Sequence, residues 1–428
     1  MDDIIRPKKR SPLDVTTDGV SPAASPPLPR NSPVAPEPTF MTPEDAADKD
    51  IASAVTETGD PAPKFEANPP TGKKRRFGLH MPHGKKQWII AIIVAVLLLG
   101  GGGAAGWWFF IRDTKKPAAS TQTVKKEDPP KPTTEESKFS GLQVPIGTNL
   151  KPVTAVMIEN SPDARPQAGL KDAGVVFEAV AEGGITRFIA LFQDTQPDYV
   201  GPIRSVRPYY IDWALPFDAS IAHVGGSPKG LSDIKSLNAK DLDQFANSGS
   251  YDRVTSRYAP HNVYTSIARL NNLEKSKGFT TANFTGFSRK KEAKSATPTA
   301  KTVDLTISSY YYNVHYDYDA ATNSYSRSEG GAAHKDEKSG TQITPKVVVA
   351  IVMSRGIDSD GQHTDYTTVG SGKMFVFQDG LVQEGTWSKS SRGTQWAFTD
   401  ANGKALAFNP GQTWFSMVDT SGSVVYKP

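Results

Sequence analysis

The sequence predicts an α+β architecture: an N-terminal disordered tail and a single transmembrane helix, then a mixed α+β domain followed by a small β-rich domain. Three observations predict it. Trp88 to Ile111 is a run with no charged residue, and roughly 20 apolar residues cover the hydrocarbon of a bilayer. From Val175 to Lys229 strand patterns alternate with helix-starting signals, which reads as mixed structure. Beyond Val303 the chain is dominated by β-branched and aromatic alternation broken by Asp-Gly and Asn-Gly turns, which reads as sheet.

The 428 residues are 37% hydrophobic with a net charge of +4, but apolar residues are unevenly spread, so regions matter more than averages. Residues 1–72 are rich in Pro, Ser, Thr, Asp and Ala with neither helical nor strand period, and predict a disordered cytoplasmic tail. Residues 73–87 carry K-K-R-R and K-K with no acid, a basic juxtamembrane segment ahead of the predicted span at residues 88–111. This cluster sets the N-terminus in the cytoplasm and the C-terminal part outside, although Arg112, Lys115, Lys116, Lys125 and Lys126 answer it on the other side. A cleaved signal peptide is not expected, because the apolar run is too long and starts too far from Met1. Residues 112–140 read as an extended linker. With no cysteine, disulfides, thiolate metal sites, cysteine catalysis and a lipid-modified cysteine are excluded.

Residues 141–297 form the predicted α+β domain. Lys151 to Glu159 reads as a buried strand, followed by the turn-rich N-S-P-D-A-R-P-Q-A-G-L. V-V-F-E-A-V-A-E, G-G, I-T-R-F-I-A-L-F-Q then predicts a hairpin about Gly183 and Gly184, since a two-residue primed turn needs positive φ twice. A regular ladder would pair Glu182 with Ile185, Val180 with Arg187 and Glu178 with Ile189. Glu178, Glu182 and Arg187 would then share one face, opposite Phe177, Ala179 and Ala181. Val206, Tyr210, Trp213 and Ala214 have helical spacing, with Pro208 in the first turn and Pro216 closing it. Ala219 to Val224 reads as a strand, Ser227-Pro228 as the N-cap and first residue of a helix to about Leu237, and Ser266 to Lys277 as a helix stopped by Gly278. Residues 303–428 form the predicted β-rich domain, with Trp387, Trp396 and Trp414 as its core.

The candidate site residues are Glu178, Glu182, Arg187, Arg204, Arg207, His223 and Ser227; Glu178, Glu182 and His223 are the catalytic candidates. Arginine forks suit carboxylate or phosphate, and Arg204 and Arg207 bracket a helix start whose free N–H groups also favour anions. Two glutamates four apart on one strand are about 13 Å from each other, too far for the glycosidase pairings of about 5 or about 6.5 to 9.5 Å. That leaves a single-acid mechanism, against the simpler reading of a cross-strand ion-pair set. A phosphate loop is absent, His223 and Ser227 lack a nucleophile-elbow context, and His223 and His261 have no metal-ligand spacing. Basic residues do not interleave with aromatics in the folded part, so nucleic acid is not an expected partner.

Together, V-M-I-E-N-S-P-D-A-R-P-Q-A-G-L, E-G-G-I-T-R-F-I-A-L-F, G-P-I-R-S-V-R-P-Y-Y, H-V-G-G-S-P and P-H-N-V-Y, followed by G-S-G-K-M-F-V-F-Q-D-G, E-G-T-W and N-P-G-Q-T-W, resemble the YerB-like family of bacterial lipoproteins. Its N-terminal and C-terminal domains are of unknown function. The resemblance implies an envelope-facing, surface-anchored protein and brings no settled activity, cofactor or metal. This chain departs from it in having no lipobox cysteine, with the predicted single-pass span in its place. The expected function is that of a membrane-anchored extracytoplasmic protein binding an anionic component of the cell wall. The alternatives are a wall-glycan-cleaving enzyme using one glutamate as general acid/base, and a scaffold for other envelope proteins.

Overall fold

Fifteen strands make the two large sheets of the computed structural model, which describes residues 132–428. The tail at 1–72, the basic segment at 73–87, the span at 88–111 and most of the linker lie outside the described residues. Among those described, no helix is long and apolar enough to cross a membrane.

The strands are β1 (Thr154–Glu159), β2 (Val175–Glu182), β3 (Ile185–Phe192), β4 (Ser220–His223), β5 (Lys240–Asp243), β6 (Thr302–Leu305), β7 (Val314–Asp319), β8 (Ser324–Glu329), β9 (Ala332–Ala333), β10 (Val347–Val352), β11 (Gly370–Gln378), β12 (Leu381–Lys389), β13 (Ala397–Asp400), β14 (Thr413–Val418) and β15 (Val424–Lys427). The α-helices are α1 (Pro208–Ala214), α2 (Pro228–Ser236) and α3 (Ile267–Ser276). The expected α+β class is therefore corrected: the described chain is mostly β-sheet with three short helices. The helical signals were real but brief. Pro208 opens α1 and Pro216 follows its end, which leaves two turns, and Gly278 at φ +81° lies just past the end of α3.

The ten-stranded sheet runs β13-β12-β11-β10-β14-β2-β3-β1-β4-β5. Its centre is the parallel pair β14–β2, in which Thr413 faces Val175 and Ser416 faces Glu178. The sheet thus takes strands from both 141–297 and 303–428 and crosses the Ser-, Lys-, Ala- and Thr-rich passage at 290–301. That passage is itself pinned, Lys290 N–H donating to the Phe408 carbonyl at 2.9 Å and Ser295 N–H to that of Asp379 at 2.9 Å.

Both faces of the central strands are covered. Val347, Val349 and Ile351 pack with Phe177, Trp213, Trp396 and Phe415 on the α1 side, while Val348 and Ala350 meet Val303, Tyr316 and Phe377 on the other. That second layer contains the five-stranded sheet β9-β8-β7-β6-β15. A solid β-branched run is what a strand buried on both faces requires. Trp387, Trp396 and Trp414 are all buried. The folded part also begins earlier than residue 141: Thr134–Glu136 pairs with Gln143–Pro145, and Phe139 is buried against Phe217 and Phe284.

Candidate functional site

The glycine hairpin forms with Gly183 and Gly184 at φ +56° and +80°, and Glu182 pairs with Ile185. Beyond that pair the expected register fails. A β-bulge between Val180 and Glu182 places Val180 opposite Thr186, Ala179 opposite Arg187 and Glu178 opposite Phe188. One extra residue reverses the parity of everything upstream. The backbone groups around the bulge find tertiary partners: Tyr209 Oη donates to the Val180 carbonyl at 2.8 Å, Val180 N–H donates to Tyr366 Oη at 3.1 Å, and Tyr210 Oη donates to the Arg187 carbonyl at 2.6 Å. None of these tyrosines belongs to the hairpin, so its own sequence could not announce the bulge.

Glu178 therefore leaves the expected group. It is fully buried on the opposite face, where its carboxylate accepts from Arg327 Nη2 at 2.8 Å, Trp414 Nε1 at 3.0 Å and Ser416 Oγ at 3.1 Å. The Arg327 guanidinium lies over the Trp414 ring, 4.5 Å from its centroid. This is an enclosed ion pair whose carboxylate cannot reach a substrate.

Glu182, Arg187 and Arg207 do come together. Arg187 Nη2 donates to Glu182 Oε1 and Arg207 Nη2 to Oε2, both at 2.6 Å, so one carboxylate bridges two guanidinium groups. Burial pushes the Glu182 carboxyl up, but Arg187 and Arg207 outweigh it and hold the group down at about 2. An acid so firmly ionised has no proton to give a glycan at neutral pH. Arg187 also donates to the Ser205 carbonyl and Arg207 to that of Val206, each at 2.8 Å, which fixes both forks.

Arg204 reaches a different carboxylate. Its Nε lies 3.3 Å from Glu159 Oε1, and Glu159 also meets His261 Nδ1 at 2.9 Å and accepts from Ser161 Oγ at 3.1 Å. Glu159 faces Arg187 across the β1–β3 pair, so the two clusters are neighbours on one side of the sheet. His223 is not among them: fully buried, it meets the Gly225 carbonyl through Nδ1 at 2.8 Å and Asp241 Oδ1 through Nε2 at 3.0 Å. Ser227 caps α2, its Oγ accepting from Gly230 N–H at 3.2 Å. The seven residues thus divide into an arginine–glutamate cluster, a buried ion pair, a buried histidine and a helix cap.

Two families of domain match this chain: protein of unknown function (DUF3048) N-terminal domain over residues 139–280, and its C-terminal domain over residues 303–415. YerB of Bacillus subtilis (strain 168), a protein described as a lipoprotein, is 35% identical over 276 residues, covering 63% of this chain and 82% of that one. The chain belongs to the YerB-like family. The crystal structure of the YerB protein from Bacillus subtilis superposes with a TM-score of 0.62 at 30% identity, covering 69% of this chain and all of that one.

Within this YerB-like fold a second group of polar residues was missed by sequence reasoning. Asn160 Nδ2 donates to Glu329 Oε1 and to Thr186 Oγ1, both at 2.6 Å, and Arg165 Nε donates to Asn160 Oδ1 at 3.0 Å. Gln167 Nε2 donates to Asn160 Oδ1 at 2.8 Å, and His334 Nε2 lies 2.9 Å from Gln167 Oε1. A cavity of about 380 Å³ opens beside Arg165, Glu329, His334 and Lys335. A signal was present in β8: Ser324, Ser326 and Ser328 alternate with Tyr325, Arg327 and Glu329. The three large residues are the more deeply buried set, so their charges are internal. Among the described residues no group of three His, Asp or Glu is arranged to hold a metal ion.

Proposed function

We propose that this YerB-like chain is an envelope-associated protein outside the cytoplasmic membrane that binds an anionic cell-wall component at the Arg204 end of the arginine–glutamate cluster. The description of its Bacillus relative as a lipoprotein supports membrane association. The observation that carries the ligand class is a charge imbalance. Arg187, Arg204 and Arg207 share only Glu159 and Glu182, which leaves one guanidinium charge in excess. Arg187 and Arg207 are buried and committed, whereas the Arg204 side chain is 26% exposed and its terminal nitrogens have no hydrogen-bond partner among the described residues. A half-buried fork with its terminal nitrogens unengaged, in a positive surround, suits a carboxylate or phosphate.

The test is retention of the full-length chain on purified wall polymer. Arg204→Ala is expected to lower retention about tenfold, in line with the loss of one charge-assisted hydrogen bond of about 1.5 kcal/mol, and raised salt to weaken the unmodified chain. Equal retention of Arg204→Ala and the unmodified chain contradicts the reading, as does release of soluble glycan fragments that persists without retention.

A further inference from the structure

Arg204 has neighbours beyond its own cluster, and they gather where the parallel strands β1, β4 and β5 end at Glu159, His223 and Asp243. A closed circuit of contacts runs around this edge of the sheet. Glu159 holds both Arg204 Nε and His261 Nδ1. Beside His261, Asn262 Oδ1 accepts from Arg253 Nη1 at 3.3 Å, and Arg253 Nη2 donates to Gln244 Oε1 at 3.3 Å. The next residue, Phe245, lies against Gly225, where an added Cβ would sit 3.2 Å from its Cε2. Val224 N–H closes the circuit by donating to the Arg204 carbonyl at 3.2 Å.

Three side chains on this circuit keep polar atoms without a hydrogen-bond partner among the described residues. A guanidinium only donates, so Arg253 holds the Gln244 amide by its oxygen and leaves Nε2 as a free donor. Gln244 is only 7% exposed, yet that nitrogen is not enclosed. A carboxylate only accepts, so His261 Nδ1 carries the hydrogen directed at Glu159, and Nε2 on the far side of the ring is unengaged. The terminal nitrogens of Arg204 are the third group, and they too reach solvent. The nearby carboxylates are occupied: Asp241 meets His223 Nε2, and Asp243 accepts from Gly225 N–H at 2.9 Å.

Among these polar groups stands a large apolar one. The Phe245 ring is 68% exposed, and burying such a surface against a ligand is favourable. A ligand that uses the whole edge must therefore bring an acidic group, hydrogen-bonding hydroxyls and a flat apolar face. A pyranose bearing a carboxylate has all three, since its C–H bonds form one face and its hydroxyls the rim. A bare phosphate or a short aliphatic acid would leave Phe245 and Gln244 unused.

We infer that the anion held at Arg204 is carried on a sugar ring, with its acid on the Arg204 fork, its hydroxyls on Gln244 Nε2 and His261 Nε2, and its C–H face on Phe245. This rests on the reading of Arg204 as an anion site and names the class of ligand that site takes.

Saturation-transfer NMR on the full-length chain tests it with three probes: glucuronic acid, the neutral sugar glucose, and lactate as an acid of the same charge without a ring. Saturable transfer to the ring C–H protons of glucuronic acid is expected, with an affinity about tenfold or more above that of either glucose or lactate. Phe245→Ala should weaken glucuronic acid about tenfold and leave lactate unchanged, and Phe245→Trp should keep the binding. Arg204→Ala should weaken both acids. Leu150→Ala, at an exposed apolar residue beyond the opposite end of β1, should change neither. Lactate or glucose binding as tightly as glucuronic acid, or glucuronic acid binding equally to Phe245→Ala and the unmodified chain, would overturn the sugar assignment; the anion reading survives there if Arg204→Ala still weakens the acids. Neither acid binding, or both binding Arg204→Ala as tightly as the unmodified chain, would overturn the anion reading and this inference together.

Discussion

Glu178 and Glu182 stand four positions apart on one strand and meet opposite fates. Glu178 is locked to Arg327 inside the protein, and removing one partner of a buried ion pair leaves an uncompensated charge. Glu178→Ala should therefore cost about 3 to 5 kcal/mol of unfolding free energy in a denaturant titration, while Arg204→Ala, at a half-buried side chain whose partner Glu159 keeps His261 and Ser161, should cost less than that. Glu274 presents a different residue-scale problem. Burial pushes its carboxyl up to about 7, against the hydrogen bonds from Thr154 and Ser220 and the charge of Lys240. Its folded pKa exceeds the ordinary glutamate value of 4.5, so the folded chain holds a proton that the unfolded chain releases, and stability falls as pH rises from about 4.5 to about 7. Glu274→Gln should remove that slope, raising stability at pH 7.5 by up to roughly 3 kcal/mol and leaving it nearly unchanged at pH 4. A thermal melt series against pH measures this. Glu182 has the opposite sign: its carboxyl is lowered to about 2, so what it contributes is present above 4.5 and lost as pH falls toward 2.

The glycine hairpin shows which features of an element its own residues encode. The turn was legible because only Gly183 and Gly184 could supply positive φ in succession, and the structure has it. Strand β10 was legible from its unbroken β-branched run. The cap of α2 was legible from Ser227-Pro228. The bulge was not, since it depends on three tyrosines from α1 and from residue 366. Because the bulge changed parity, the predicted polar face kept Glu182 and Arg187 and lost Glu178. The two glycines should also separate by substitution. A Cβ on Gly183 meets nothing within 4 Å, so Gly183→Ala pays only for left-handed backbone, about 1 to 2 kcal/mol. A Cβ on Gly184 would lie 3.0 Å from Ser308 Oγ, which donates to the Gly184 carbonyl. Gly184→Ala should be the more destabilising of the two in urea unfolding, and equal midpoints would contradict that assignment.

At the scale of the molecule, sequence reading divided the folded chain at the polar passage near residue 290, and the two family matches divide it at nearly the same place. Composition marks where the chain changes style, but strand pairing between distant segments leaves no local trace. The parallel pair β14–β2 joins residues more than two hundred positions apart, with Trp414 opposite Val176. The cavity beside Glu329 and His334 takes walls from both halves, and Glu178 of the first half is held by Arg327 and Trp414 of the second. The central sheet therefore needs its ten strands to behave as one cooperative body. Native-state hydrogen exchange on the full-length chain tests this most directly, because it reads the opening free energy of each strand separately. The account predicts that amides of Val176 to Val180 and of Val348 to Ile351 are released only in the same global opening, at one shared free energy. Fast exchange throughout residues 303–428 while residues 154–223 stay protected would contradict it.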